Sequence, residues 1–423
     1  MGLDDIVKYI LSFICLLGCQ FSFGAADVVA ENHKFVAGFA SVDISPTTAS
    51  LKENSTYMGG YGFWTARGKS KGIHDPLEAN AMCLQSNENR SQRFCLVVVD
   101  SLGLTGLIIE KIRKRATSIV GLTSEALFVA ATHTHAAPDL LGLWGGAAAY
   151  EDHLIQGAVS ALVKAHKNME PADLFYSLSE GKAFNRRGWG FTDAQITLIT
   201  ALDQGQKSIG SFVNFSAHPV VTTAENLLLS SDYPHYLRRR IQSQLQGPVL
   251  YVNGAIGDVN PQEFESQDMW SDVKTYGENI ANLALNSLKV KKPISSGIEV
   301  KVIEFRSRVE NTTLALAQWL GIIEDNSSGP FWNVLVMSRV GRIRLGQEVD
   351  MVAIPGEAST RMGLKIKDKM TTPAKVILGL TGGSLGYFIQ EDEWQSNRNN
   401  NYEESVSIGS HIGSQIERLL QRM

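Results

Sequence analysis

Cysteine is scarce. Four cysteines in 423 residues, with Cys15 and Cys19 inside an N-terminal apolar segment, leave one pair for the rest of the chain. That pair, Cys83 and Cys95, sits symmetrically about the polar turn Asn87-Glu88-Asn89-Arg90-Ser91. A hairpin there sets the two opposite each other, either as a disulfide or as two small buried thiols. Basic excess is also missing. A formal net charge of −4 gives no electrostatic case for nucleic-acid binding, which shows as a basic face. No stretch is repeated, low in complexity or heavily charged, and no linker marks a second domain.

Long apolar runs are lacking except at the N-terminus. Ile6 to Phe23 is apolar apart from Lys8, Ser12, Gln20 and Ser22, and Gly24-Ala25-Ala26 follows. The run is shorter than the ~20 residues a spanning helix needs. Its layout is that of a secretory signal with cleavage near Ala26. The sequence therefore predicts a signal over residues 1–26 and one catalytic domain over 27–423, exported to the periplasm or beyond the cell. Leu16-Leu17-Gly18-Cys19 resembles a lipoprotein box, so soluble and lipid-anchored forms both stay open.

What is present in quantity is core material, with 44% hydrophobic residues. Leu96-Val97-Val98-Val99 reads as a buried strand. Thr105 then caps a helix with apolar positions Leu107, Ile108, Ile112, Ala116 and Ile119, closed by Gly121. Ala126-Leu127-Phe128-Val129 is the next strand, so strand, helix and strand imply a parallel crossover. Further helices are expected from Tyr150 to His166, from about Pro234 to Leu245, and from a Ser271 cap to about Leu288. Strands are expected at Gln195 to Leu202, Ser208 to Ser216, Val249 to Val252, Ile298 to Phe305, Asp350 to Ile354 and Val376 to Leu380. The fold class is α/β, with mixed β-sheets and outer helices in a single domain.

Several of these strands end in a chemically able group. Thr132-His133-Thr134-His135 follows one, and two histidines at i and i+2 on extended chain point to one side. His218 follows another strand in Ala217-His218-Pro219, Asp258 lies in Gly257-Asp258-Val259, and Glu357 follows Pro355-Gly356. Ends of parallel strands converge on one sheet edge, where ligand sites gather. Two or three histidines with one carboxylate is the usual ligand set of a catalytic zinc with one open position. The residues thus predict a metal hydrolase site without fixing the substrate. Met58-Gly59-Gly60-Tyr61-Gly62-Phe63-Trp64 is a loop of the kind that lines ligand sites or simply packs.

Gly72-Ile73-His74, His133-Thr134-His135, Asn185-Arg186, Ala217-His218-Pro219, Gly257-Asp258-Val259, Pro355-Gly356-Glu357 and Leu385-Gly386-Tyr387 occur in that order. In this the chain resembles the catalytic domain of the neutral (non-lysosomal) ceramidase family, from about Phe35 to the C-terminus. The resemblance implies a zinc ion held by His133, His218, Glu357 and Tyr387. It also implies that His135, His74 and Arg186 line the site, with His135 as general acid/base and Arg186 steadying an oxyanion. The implied reaction is hydrolysis of the N-acyl bond of ceramide or a related N-acyl lipid through zinc-activated water. Implied partners are a small-molecule or lipid substrate and a lipid surface.

Two departures stand out. Asn260 occupies the position of the family's Gly-Asp-Val-Ser-Pro serine, and an amide cannot replace a hydroxyl as nucleophile. The C-terminal immunoglobulin-like domain of long ceramidases is also not in this sequence, which resembles short, single-domain relatives. Both leave room for a zinc hydrolase of a different amide or ester, or for a non-catalytic relative.

Overall fold

A computed structural model describes residues 33–423 apart from 48–50, 52–55, 63–66, 147, 263 and 265–267. The expected signal, Cys15, Cys19 and the Phe63-Trp64 end of the glycine-rich loop lie outside the described residues.

Two sheets carry the fold. Among the described residues the larger has nine strands. Its spatial order is Val249–Asn253, Ser208–Phe215, Gln195–Leu202, Glu170–Glu180, Phe35–Asp43, Glu78–Ser86, Arg93–Val99 and Leu127–Ala131, with Lys292–Pro293 beside Glu170–Glu180. Pairing is antiparallel through the middle and parallel in the pairs at both ends. The smaller sheet orders Ile298–Arg308, Leu335–Leu345, Val349–Ala353 and Ala374–Leu378, the last two parallel. Mixed sheets with outer helices are thus what forms, as the apolar strand runs predict.

The sheets face each other across a dry layer in which Phe35, Phe94, Phe128 and Phe212 of the larger meet Ile343, Met351 and Val376 of the smaller. Helices Gly106–Val120 and Ala148–Lys167 cover the opposite face of the larger sheet at Val97, Val99 and Val129. Helices Tyr233–Leu245 and Met269–Ser287 cover it at Leu198, Val213 and Tyr251. Thr105 caps the first of these helices by accepting from Ile108 N, and Gly121 ends it at φ 63°. The cap expected at Ser271 lies instead at Asp268, whose carboxylate accepts from Trp270 N and Ser271 N. A charged oxygen serving two helix N–H groups outcompetes a hydroxyl.

Cys83 and Cys95 are register partners and form a disulfide. The strand Leu335–Leu345 was not expected, and it is the one that pairs both Ile298–Arg308 and Val349–Ala353. Its arginines hide the apolar pattern. Arg342 Nη2 lies 2.5 Å from the buried Asp350 carboxylate, so its charge is neutralised within the sheet.

What brings distant strand ends together is a set of buried loop-to-loop bonds. Asn253 Nδ2 donates to Thr132 O (2.6 Å), and Asn253 O accepts from Gly379 N (2.9 Å). One residue thereby ties the Leu127–Ala131 end, its own strand end and the smaller sheet. Asn253→Ala should cost about 1–3 kcal/mol by leaving Thr132 O unpaired in a buried place. The check is a lower urea midpoint at unchanged slope.

Candidate metal and acyl-binding site

The chain leaves the Leu127–Ala131 strand and turns sharply. His133 has φ 63°, a left-handed conformation rare for a side chain of this size. The expected convergence of His133 and His135 therefore occurs, but through this kink rather than through strand pleating. Their Nε2 atoms lie 3.2 Å apart. Such strain persists only where the surroundings over-determine it. Here Thr134 Oγ1 donates to Ser230 O (2.8 Å), and His135 N donates to Pro219 O (3.3 Å). These bonds dock the loop against the segment that carries His218.

His218 is fully buried, and its Nδ1 lies 3.0 Å from Val259 O. His133 Nδ1 lies 2.5 Å from Leu102 O. A carbonyl only accepts, so both Nδ1 atoms donate, and in the neutral tautomer each Nε2 presents a lone pair inward. Glu357 Oε2 meets them, 3.0 Å from His218 Nε2 and 3.3 Å from His133 Nε2. Glu357 and Tyr387 are register partners in a short parallel pairing of Glu357–Ala358 with Tyr387–Phe388. The Tyr387 ring centroid is 6.4 Å from that of His218.

Electrostatics keep the His218 and His135 rings neutral and the Glu357 acid charged. Burial is the main cause that pushes His218 down to about 4, with partial compensation from Glu357. Burial likewise pushes His135 well below the ordinary histidine range, and His133 and His218 add to it. For Glu357 burial works upward, but His133 and His218 outweigh it and hold the carboxyl well below its usual range. Lone pairs of two rings facing a carboxylate repel unless a cation or proton lies between them. His133, His135 and His218 each bring a ligand atom within 4.8 Å of the others, so the group could hold a metal ion.

Above the cluster opens a cleft of about 750 Å³ that His133, His135, Glu357 and Tyr387 line at one end. Leu102, Leu141, Trp144, Leu314, Ile323 and Ile408 form its apolar walls. A cleft that is apolar with a few convergent polar groups suits a ligand with a hydrocarbon part.

Three predicted site residues are placed differently. His74 does not reach the cluster: it stacks on Trp270 with centroids 3.5 Å apart, and its Nδ1 is 3.1 Å from Asp75. Its motif is used structurally, since His74 N donates to Leu229 O. Arg186 is close to the cluster but behind the cleft wall. It donates to Glu403 (2.7 Å), Gly257 O (2.7 Å) and Asn260 Oδ1 (3.2 Å), and its guanidinium lies 5.4 Å from the Tyr387 ring centroid. Asn260 is half-buried in a separate recess beside Val221 and Pro261, held by that same arginine. Asp258 also turns out to be an anchor. Its carboxylate accepts from Thr360 N, Thr360 Oγ1 and Asn185 Nδ2.

Other site residues were not foreseen individually. Tyr61 edges onto His135 with centroids 4.8 Å apart, and its loop was flagged by glycine and aromatic content. Gly60 is needed there: φ is 101°, and a Cβ would fall 2.5 Å from His135 Nδ1. Tyr402 lines the cleft and faces Tyr387, with centroids 5.9 Å apart, from a stretch without any motif. Arg67 supports the site by donating to Gly59 O (2.9 Å) and His135 O.

Mixed sheets with outer helices define the fold class, and solved structures share that fold. Neutral ceramidase from Pseudomonas aeruginosa superposes with a TM-score of 0.77 at 16% identity, over 92% of this chain and 74% of that one. The chain has the neutral ceramidase fold. Its sequence is 23% identical to neutral ceramidase 1 of Arabidopsis thaliana over 48% of this chain. It is 25% identical to neutral ceramidase of Mycobacterium tuberculosis over 44% of this chain. Those matches span only 28% and 33% of the two relatives' own lengths. No protein-family model matches the chain. Sequence and fold matches together support the neutral ceramidase family.

His218→Ala should reduce tightly bound divalent metal to a trace, whereas His74→Ala should leave it at the wild-type level. Elemental analysis of dialysed protein reads both.

Proposed function

We propose that the chain is an exported, zinc-dependent amidohydrolase that cleaves the N-acyl bond of ceramide or a closely related N-acyl lipid. The observation that carries this reading is the meeting of His133, His218 and Glu357 at 3.0–3.3 Å beneath an apolar cleft. The N-terminal signal layout supports export, and the ceramidase relatives support the substrate class.

The nitrogen and oxygen donors of His133, His218, Glu357 and Tyr387 suit zinc, which would supply carbonyl polarisation and a more acidic water when bound. Leu102 and Val259 carbonyls hold the two rings in the tautomer that such an ion requires. Arg186 works as a positioning residue: with its charge balanced by buried Glu403, it lies against the rings of Tyr387 and Tyr402.

His135 moves the proton. Burial keeps its ring neutral, and its Nδ1 has no hydrogen-bond partner among the described residues. A neutral, buried imidazole at the cleft floor can accept a proton from attacking water and return it to the departing amine. Asn260 carries no nucleophile and lies outside the cleft, which supports attack by water rather than by a side chain. The apolar walls exclude bulk water from the reacting amide and take the acyl chain.

Zinc-loaded protein given detergent-dispersed N-acyl sphingosine should release fatty acid, and chelation should abolish the release. His135→Ala should lower kcat by roughly 10²–10⁴-fold while metal content is retained. No release from the loaded wild type would overturn the reading. Release from soluble short amides or esters alone would move it to a different acyl substrate.

A further inference from the structure

A second concentration of charge lies away from the cleft. Arg113 of the helix Gly106–Val120 and Arg339 of the strand Leu335–Leu345 are only 4% and 6% exposed. Both line one recess, together with Asn326, Ser338 and Gly382, and it shares no residue with the cleft. Glu110 Oε1 lies 2.6 Å from Arg113 Nη1 and 3.7 Å from Arg339 Nη2, so the two guanidinium groups are neighbours across one carboxylate. Gly382 keeps the space beside them clear: φ is 95°, and a Cβ would sit 3.6 Å from Arg339 Cγ and 4.0 Å from Arg113 Nη2.

Elsewhere the fold supplies its buried arginines with carboxylates in excess. Arg238 pairs with Asp100 and Glu78, and Arg187 with Glu403 and Glu404. Arg113 and Arg339 share one acid, and its side chain is 49% exposed. Their other bonds go to uncharged groups. Arg113 Nε donates to Leu127 O (3.3 Å), and Arg339 donates to Ser124 O (2.8 Å) and Ser124 Oγ (3.4 Å). Arg113 Nη2 and Arg339 Nε have no hydrogen-bond partner among the described residues. Burial pushes the Arg339 guanidinium down to about 10 against the pull of Glu110, which still leaves it a cation at neutral pH.

The remaining charges nearby do not close the gap. Glu304 and Arg306 also line the recess, both exposed and opposite in sign. Asp325, next to Asn326, lines the cleft instead, and its Oδ1 accepts from Gly106 N and Asn326 N. Positive charge is therefore left over at a place with donors to spare. Guanidinium forks match the oxygens of phosphate and carboxylate groups. Arg113 Nη2, Arg339 Nε and the Asn326 amide make three donor groups, more than the two oxygens of a carboxylate serve singly, whereas a phosphate ester offers three terminal oxygens.

We propose that Arg113 and Arg339 form a binding site for a phosphate group, carried by inorganic phosphate or by a phosphate monoester. Gly382 belongs to the segment that runs on to Ser384, Leu385 and Tyr387 of the cleft, so the site lies beside the active region without entering it.

Isothermal titration of the full chain at constant ionic strength reads the binding of inorganic phosphate, glycerol phosphate and acetate. The wild type should bind phosphate saturably and acetate far more weakly. Arg339→Gln should weaken phosphate binding roughly tenfold or more. Glu110→Gln, at a half-exposed position, removes the competing carboxylate and should tighten it with thermal unfolding little changed. Should Arg339→Gln fail to fold, the gain in Glu110→Gln still decides. His218→Ala should bind phosphate as the wild type does, which separates the recess from the histidine cluster. Glycerol phosphate binding more tightly than phosphate marks an ester as the ligand, and the reverse marks the free ion; either supports the site. No saturable binding, acetate bound as tightly as phosphate, or binding that neither variant alters would overturn the proposal. So would phosphate binding that disappears in His218→Ala.

Discussion

Everything around the site follows from one arrangement: Glu357 Oε2 within 3.3 Å of two histidine Nε2 atoms whose other nitrogens are committed to carbonyls. The two carbonyls remove the rings' freedom to present an N–H inward. Burial disfavours the cation at His218. What remains is a concentration of lone pairs that is favourable only around positive charge. Such a cluster is costly to fold uncompensated, so the surrounding structure must hold it firmly. The left-handed turn at His133, the Asn253 tie and the Asp258 anchor do so. Each binds a loop from one strand end to a loop from another.

That division explains what the sequence revealed. Strand cores were legible because apolar runs report burial directly, as at Leu96 to Val99; in the helix between Thr105 and Gly121 the expected Ile108, Ile112 and Ala116 are buried, but Leu107 and Ile119 are exposed. His133, His135, His218 and Glu357 were legible because each stands just past such a run, Tyr387 only through the resemblance, and all five come together. The route by which they meet was not legible. Ser208–Phe215 and Leu127–Ala131 lie far apart in the sheet order, and only long-range loop contacts close the distance. His135 N to Pro219 O is one such contact.

Where reading failed, charge was usually the reason. Arg342 in the Leu335–Leu345 strand carries a charge that Asp350 cancels, and a sequence pattern cannot see the cancellation. His74 and Asp258 carry catalytic residue types but are spent on packing: one stacks on Trp270, and the other holds Thr360 and Asn185. Tyr402 and Arg67 fail in the opposite sense. They stand in stretches without a motif, yet the fold delivers one to the cleft wall and the other to the His135 carbonyl.

Asn260 shows how a single side chain can depart from the pattern of the resemblance while the cluster beside it stays intact. Its amide oxygen accepts from Arg186 Nη1 at 3.2 Å, on the same guanidinium that lies against Tyr387. A serine here would place a shorter hydroxyl at the end of that charge. Asparagine fills the position with a group that cannot attack but can still satisfy the arginine. Arg186 thus keeps a full set of partners in Glu403, Gly257 and Asn260, and the metal-type cluster behind Tyr387 keeps its geometry. The side-chain type at residue 260 is therefore separable from the geometry of the cluster. Under the function proposed above, hydrolysis would then depend on water and on His135, and on how closely the apolar cleft presents the amide to both.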